Sequence, residues 1–446
     1  MTTETTLPDP DRGHLLRVLG VTFGIAVVVG GVIGQGILRT PGVVASGVQN
    51  PAWIIALWAL CGLVAFIDSM STVELAASIR QTGGPYAFAR RVFGSLIGLA
   101  VGVCDWLGNM GGIAFIAVVF GEYLHRLGVL TAVPIGVLAL AAVVAVGGVQ
   151  WLGTKVGGRS QEIGSAVKAA LSAVLIAGLF FAPRGIPVAT VVEPATAVAL
   201  TFAGIVMARR AISGTYYGWN GAAYFCEEVV DPGRSIAKAT FSGIAVVTVI
   251  YVLANLAYLN VLTPAEMAGS NLVAADAAGR VFGAAAGPVV TAVSLISLVT
   301  ILNAMVMVFP RVLFAMAREY QVPGLSSVAA NGTPRLALVA TVVTGGLLAT
   351  IGVYETLLVF STALLALMSV LVNAAAIVMR IREPGLERPW KMPLYPLPAV
   401  IALVINATLF VVFVVEDPVT TAKAFGALAL LIVVAWIVTR RKPAAS

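Results

Sequence analysis

Charge is scarce in this sequence. Asp, Glu, Lys and Arg together supply 11% of 446 residues, too few to clothe a water-soluble chain of that length. Histidine occurs twice, as His14 and His125 near the ends of apolar runs. Cysteine occurs three times, and Cys61, Cys104 and Cys226 all sit in apolar stretches. They read as small packing residues rather than disulfides or metal ligands. There is no Cys/His cluster, no HExxH pair and no GxxxxGK phosphate loop followed by Ser or Thr. An enzyme is left without a nucleophile–base or metal cluster, and no cofactor or metal is expected. Also missing is any stretch polar enough for a sizeable soluble domain, which a receptor would use for signalling. The first twelve residues carry three acids instead of the basic run that opens a secretory leader. The first apolar run therefore reads as a retained span.

What fills the chain is apolar sequence. Hydrophobic residues reach 59% and the mean hydropathy is +1.00. Runs of about 20 apolar residues, the length that crosses a bilayer as a helix, recur almost throughout. They read as twelve transmembrane helices at 15–47, 52–79, 93–124, 130–150, 161–182, 200–226, 238–262, 283–317, 336–353, 356–380, 394–415 and 420–439. The expected fold class is an all-α membrane protein. The net charge of +7 is sorted, not spread. Arg80, Arg90, Arg91, Lys155, Arg159, Arg318 and Arg380 fall on one set of alternate loops, and few basic residues fall on the other. By the positive-inside rule both termini are cytoplasmic, in a multi-pass protein of the cytoplasmic membrane if the source is a prokaryote. The charge therefore reports topology in a lipid bilayer, not nucleic-acid binding.

The most irregular apolar stretch runs from Val29 to Gly42, with five glycines and Gln35 at membrane depth. Glycine costs a helix roughly 1 kcal/mol per residue relative to alanine. A bilayer core offers no water to freed backbone groups, so broken helix is tolerated there only beside protein or a wet cavity. The stretch reads either as a helix interrupted at Gly34-Gln35-Gly36, with bare backbone groups to hold a solute, or as a glycine-lined packing face. A second disturbance, Ser213 to Gly221, lies in the sixth span. Spans 1 and 6 each head a block of five, and inverted-repeat transporters place broken helices at corresponding positions of their halves. The pairing favours the broken-helix reading. It divides the chain into a cytoplasmic tail (1–14), a first repeat of spans 1–5 (15–182), a second repeat of spans 6–10 (200–380), spans 11–12 (394–439) and a second cytoplasmic tail (440–446).

Five local motifs, in order, resemble the amino acid–polyamine–organocation family of secondary transporters over essentially the whole length. Gly34-Gln35-Gly36-Ile37-Leu38 with Pro41-Gly42 is similar to the family's Gly-Ser-Gly-Ile-Phe signature. Glu74-Leu75-Ala76 and Gly83-Gly84-Pro85-Tyr86 resemble the end of its second helix. Tyr216-Tyr217-Gly218-Trp219-Asn220, Glu227-Glu228 and Asp231-Pro232-Gly233-Arg234 resemble its sixth helix and following loop. Arg311, Ala317-Arg318-Glu319, Pro323 and Thr333-Pro334-Arg335 resemble its eighth-helix region. Arg388-Pro389-Trp390 resembles the loop before span 11. The resemblance implies an amino acid permease with a five-plus-five inverted repeat and broken helices 1 and 6, working by alternating access.

An amino acid presents a carboxylate and an ammonium group. Backbone N–H groups of Gln35, Gly36 and Ile37, opening the second half of helix 1, would bind the carboxylate in a favourable dipole. Carbonyls of Val32, Ile33, Gly214 and Tyr217, where half-helices end, would take the ammonium. Gly34 and Gly36 keep the approach to the backbone clear. Asn220 and Asn303 match amide positions of the family and could bond the solute or brace the broken segments. Lys168, about two turns into span 5, costs at least ~2.5 kcal/mol at membrane depth. It either snorkels to an interface or contacts the carbonyls of broken helix 1. The resemblance puts it where sodium-coupled relatives of the same fold hold sodium; a fixed cation would replace that ion, and the amine could also carry a proton.

Glu227 and Glu228 read as gate or loop ion pairs with residues such as Arg234, and Trp219 joins them as a gating residue. Gly214 stands where many members carry an aromatic outer gate. Either the gate falls to Tyr216 or Tyr217, or the site takes a larger solute side chain. Arg209 and Arg210, one turn further out, read as snorkelling side chains or as a positive vestibule. Asp68, Glu74 and Asp105 have no partner legible in the sequence. The expectation is a secondary active, sodium-independent amino acid transporter, proton-coupled or an exchanger, with neutral amino acids first among substrates. Cationic amino acids and polyamines come next, and acidic amino acids after them. A receptor or a channel is the reading from another class.

Overall fold

The computed structural model describes residue 15, residues 19–182 and residues 201–440, apart from 271, 284, 352 and 353. Of the two expected tails only Arg440 falls among these residues. The regular elements described are helices: α1 (Val21–Val32), α2 (Gln35–Gly47), α3 (Pro51–Ile79), α4 (Pro85–Phe93), α5 (Ser95–Arg126), α6 (Ile135–Trp151), α7 (Thr154–Phe180) and α8 (Phe202–Thr215). The sixth apolar stretch continues as a 3-10 helix, Trp219–Phe225. Then come α9 (Pro232–Val261), α10 (Pro264–Ala268), α11 (Val273–Phe282), α12 (Ala286–Val308), α13 (Pro310–Glu319), α14 (Arg335–Ile351), α15 (Tyr354–Arg382), α16 (Leu397–Glu416) and α17 (Pro418–Arg440).

Local chemistry explains where several of these helices begin and stop. Asn50 caps α3 by accepting from Ala52 N at 2.9 Å and Trp53 N at 3.2 Å, and Pro51 occupies the first turn, where its missing N–H is harmless. Pro134 precedes α6, and Gly153, at φ +125°, follows it. These punctuators limit α6 to 17 residues, about 25 Å of helix against a hydrocarbon core of about 30 Å. α14 is also 17 residues, starting just after Pro334. Among the described residues, eight helical segments are long and apolar enough to cross a membrane, and the bent pair α1–α2 makes a ninth. Of the twelve spans expected, with the first and sixth interrupted, the fourth and ninth are short at α6 and α14, and the sixth stretch divides after α8.

α5 is almost wholly buried, with α4, α6, α12, α14, α15 and α17 packed around it. α1 packs against α7, α9, α12 and the 3-10 helix, and α2 against α8 and α10. Both interruptions therefore lie inside the bundle, among buried residues such as Phe23, Val27, Trp58 and Ile212. The periphery is apolar too: Val174, Phe202, Val289, Val415 and Leu430 are each more than half exposed, as side chains that face lipid can be.

Candidate functional site

α1 ends at Val32, Ile33 and Gly34 are extended, and α2 sets off at 44° to α1. The interruption is one residue earlier than the glycine pattern suggests, since Gly36 lies inside α2. Gly36 answers to packing: a Cβ there would sit 2.6 Å from Thr215 Cγ2 and 2.8 Å from its Cβ. Gly34 is the N-cap residue and offers no side chain, so the first N–H groups of α2 have no side-chain cap. Those groups belong to Gln35, Gly36 and Ile37; the Gln35 side chain lies outside the described residues.

The carbonyl side of this break is held from elsewhere. Lys168 Nζ, on a residue 2% exposed, donates to Gly30 O at 2.7 Å and to Ile33 O. Ser297 Oγ donates to Ile33 O at 3.2 Å. Tyr251 Oη lies 2.9 Å from Val32 O and 3.0 Å from Thr215 O, so one hydroxyl proton serves the ends of both α1 and α8. Lys168 does not snorkel. Its desolvated ammonium sits at the negative end of the α1 dipole, where carbonyls replace water. The Val32 and Ile33 carbonyls, named above for a solute's ammonium, already accept from Tyr251, Lys168 and Ser297.

The second break is built differently. α8 stops at Thr215, and Gly218 takes φ +108°, which a side chain would strain. A Cβ there would also stand 2.9 Å from Gly31 O, so glycine lets the two broken backbones meet. Tyr216 is buried, donates from Oη to Trp58 O at 3.1 Å and sets its ring edge-on to Tyr251, centroids 5.1 Å apart. Tyr217 Oη lies 3.4 Å from Ser369 Oγ. Asn220 Nδ2 reaches Tyr224 Oη at 3.5 Å, and that hydroxyl lies 2.9 and 3.0 Å from the two carboxylate oxygens of buried Asp105. Trp219 is half-buried against the core. Gly214 is exposed, and a Cβ on it would meet nothing within 4 Å, so that face of α8 is open. Asp68, Tyr217, Trp219, Asn220, Ser369 and Asn373 line a narrow cleft beside this turn.

Other predicted residues brace rather than face open space. Asn303 Nδ2 donates to Gln161 Oε1 at 2.8 Å, and Asn303 Oδ1 accepts from Gln150 Nε2 at 2.7 Å. Its amide ties α6, α7 and α12 together. Glu228 does not pair with Arg234; it makes a buried, bidentate pair with Arg311, whose guanidinium also lies over the Phe225 ring. Glu227 pairs with Arg318 Nη1 and Nη2 at 2.6 and 2.5 Å and accepts from Thr82 N at 3.1 Å. Arg234 is nearer in sequence, but it lies in the first turn of α9. Arg210 pairs with Glu416 and lies over Phe413, whereas Arg209 Nη2 is buried without a hydrogen-bond partner.

Glu74 accepts from Arg380 and from Met392 N at 2.6 Å; Asp68 Oδ1 accepts from Asn373 and Asn406. Tyr251, Ser297 and Gln161 were not singled out from sequence. Each is a polar group in an apolar helix, which signals that a partner is needed without saying which.

Against known proteins, a family model described as amino acid permease matches residues 19–438. The chain is 28% identical to the b(0,+)-type amino acid transporter 1 of Mus musculus over 411 residues, covering 87% of this chain and 81% of that one. It is 26% identical to the serine/threonine exchanger SteT of Bacillus subtilis, covering 88% of this chain and 90% of that one. The large neutral amino acids transporter small subunit 2 of Oryctolagus cuniculus is 28% identical, covering 85% of this chain and 73% of its own.

Proposed function

The chain belongs to the amino acid permease family, and from that premise we propose that it is a sodium-independent secondary carrier of neutral amino acids, working by exchange or with protons. The observation that carries this reading is the meeting of two interrupted helices inside the bundle, at Gly31 and Gly218, beside the uncapped start of α2. The solute's carboxylate sits on the N–H groups of Gln35, Gly36 and Ile37, where the helix dipole favours an anion. With the Val32 and Ile33 carbonyls already engaged, its ammonium turns to the backbone between Gly214 and Tyr217. The space beside Gly214 takes the solute side chain. Two relatives are named for serine and threonine or for large neutral amino acids, which supports neutral substrates.

Lys168 supplies a fixed cation at the end of α1, so no sodium ion is needed there. Counting the short helices α6 and α14 and the broken α8 stretch as spans gives twelve, in two five-span blocks each headed by a broken helix. The arginine-rich loops then face the cytoplasm with both termini. On that side the Glu227–Arg318 and Glu228–Arg311 pairs close the path, and alternating access requires at least the more exposed of them, Glu227–Arg318, to part.

Counterflow in proteoliposomes tests the reading. Vesicles loaded with unlabelled serine or leucine and diluted into labelled solute in sodium-free buffer should show transient accumulation. No overshoot with any neutral amino acid would remove the carrier reading, and overshoot that requires sodium would remove the role given to Lys168.

A further inference from the structure

Away from the start of α2, the cleft beside the second break holds a carboxylate served only by neutral groups. Asp68 Oδ1 accepts from Asn373 Nδ2 at 2.8 Å and from Asn406 Nδ2 at 2.9 Å, and among the described residues no basic side chain pairs with it. Asn373 is 1% exposed. Its Nδ2 also donates to Ser369 O at 2.9 Å, which fixes the amide's orientation, and its Oδ1 is buried without a partner. Ser369 and Tyr217, whose hydroxyls lie 3.4 Å apart, stand in the same wall.

The charge of this wall is one-sided: Asp68 is its one ionisable carboxylate, and no basic residue among those described lines it. A carboxylate within a membrane-spanning helix is costly unless a cation or strong donors compensate it. Two amide N–H groups serve one carboxylate oxygen. The other carboxylate oxygen and the unpartnered Asn373 amide oxygen are left as acceptors, beside Ser369 and Tyr217 hydroxyls that can accept as well as donate. Buried acceptors need donors. A primary ammonium group brings three N–H donors and one positive charge, which matches that set. An anion would be repelled, and a neutral solute would leave the carboxylate uncompensated.

We propose that this cleft binds a primary ammonium group, held by Asp68, Asn373 and Ser369 beneath the turn Tyr217–Asn220. The site stands independently of the carrier reading; only the source of the ammonium rests on it. That source is either the α-ammonium of the transported amino acid as it passes the break, or an amine at the end of a solute chain.

The test uses the full-length chain in nanodiscs, with the thermal unfolding midpoint as readout. Ethylammonium should raise the midpoint of the wild type, and Asp68→Asn should lose the shift. Ser369→Ala should need about tenfold more ethylammonium for the same shift, and it keeps the proposal testable if Asp68→Asn folds poorly. Tetramethylammonium, with the same charge and no N–H, should do nothing. Equal stabilisation of Asp68→Asn, or an equal effect of tetramethylammonium or sodium, would overturn the proposal. A butane diamine and leucine separate the sources. Loss of the diamine effect alone in Asp68→Asn supports a side-chain amine, loss of both supports the α-ammonium, and retention of both overturns the site. If leucine neither stabilises the wild type nor shows counterflow, the carrier reading fails while the ethylammonium result still stands on its own.

Discussion

Carbonyls freed at the first break are capped by donors from three other helices: Lys168 of α7, Tyr251 of α9 and Ser297 of α12. The second break instead turns on itself, through Gly218 and seven residues of 3-10 helix, and its side chains reach outward. Tyr216 holds Trp58 O at 3.1 Å, Tyr217 touches Ser369 at 3.4 Å, and Tyr224 holds Asp105. A charged donor on carbonyls at a helix C-terminus is stronger than the neutral hydroxyl contact of Tyr217 at 3.4 Å. The turn at Tyr217 is thus the weakest point of the second break, while Tyr224 on Asp105 holds its far end. The first break is therefore the fixed member of the pair. The second can exchange partners at lower cost, which suits the half of a carrier that moves against its scaffold.

Removing Lys168 should break this contrast most severely. Lys168→Ala leaves the Gly30 carbonyl without its donor and the Ile33 carbonyl with Ser297 alone, inside the bundle. The expected cost is about 3 kcal/mol in unfolding free energy, from two weakened or orphaned acceptors and a lost charge. Counterflow should fall at least tenfold. Lys168→Arg keeps a cation but one that does not release its proton, so a flat pH profile with retained counterflow assigns a fixed-charge role. Unchanged transport and stability in both variants would show that α1 is held by something else.

Tyr224→Phe probes the other break and should cost less, about 2 kcal/mol, since Asp105 keeps its bond from Asn109 Nδ2 at 2.9 Å. The comparison sharpens in a double-mutant cycle. If the hydroxyl acts through the carboxylate, Tyr224→Phe should cost clearly less in an Asp105→Asn background. Equal costs in both backgrounds would place the effect outside the carboxylate, at the hydroxyl's other contact, Asn220 Nδ2.

The breaks were legible because glycine at membrane depth is a compositional fact, and because two such stretches stand at the heads of equal blocks in the spans read from hydropathy. Helix positions were legible for the same reason: α5 runs Ser95–Arg126 where 93–124 was expected. What holds the breaks was not. Arg311 lies 83 residues from Glu228, and Gln161 lies 142 from Asn303, while Arg234 stands only six positions after Glu228 and does not pair with it. A polar side chain in an apolar helix announces that it needs a partner. Only the packing of α7, α9 and α12 around α1 decides which one it meets. The short α6 shows the converse, for Pro134 and Gly153 mark its ends in plain sequence, yet hydropathy alone carried the expected span past Pro134, to begin at 130.

The smallest effect lies over α2. α10 and α11 pack on that half-helix, and Glu266 joins them through Arg280 Nη2 at 2.5 Å and through the Thr263 capping box. The Arg280 guanidinium holds the Glu266 carboxyl down at about 2, against an ordinary value of 4.5. A depressed carboxylate stabilises the fold above its unfolded value and loses that contribution as pH falls toward the folded one. Glu266→Gln should therefore cost about 1 kcal/mol or less near neutral pH. The gap to wild type should stay constant down to about 4.5 and close as pH approaches about 2. A gap that changes between pH 6 and 8, or persists undiminished in acid, would show that the pair does not carry it. Because this cover touches α2 and not the 3-10 turn, Glu266→Gln should be non-additive with Lys168→Ala and additive with Tyr224→Phe. The opposite pattern would mean that the two breaks are coupled through the cover, and that the first is not the fixed one.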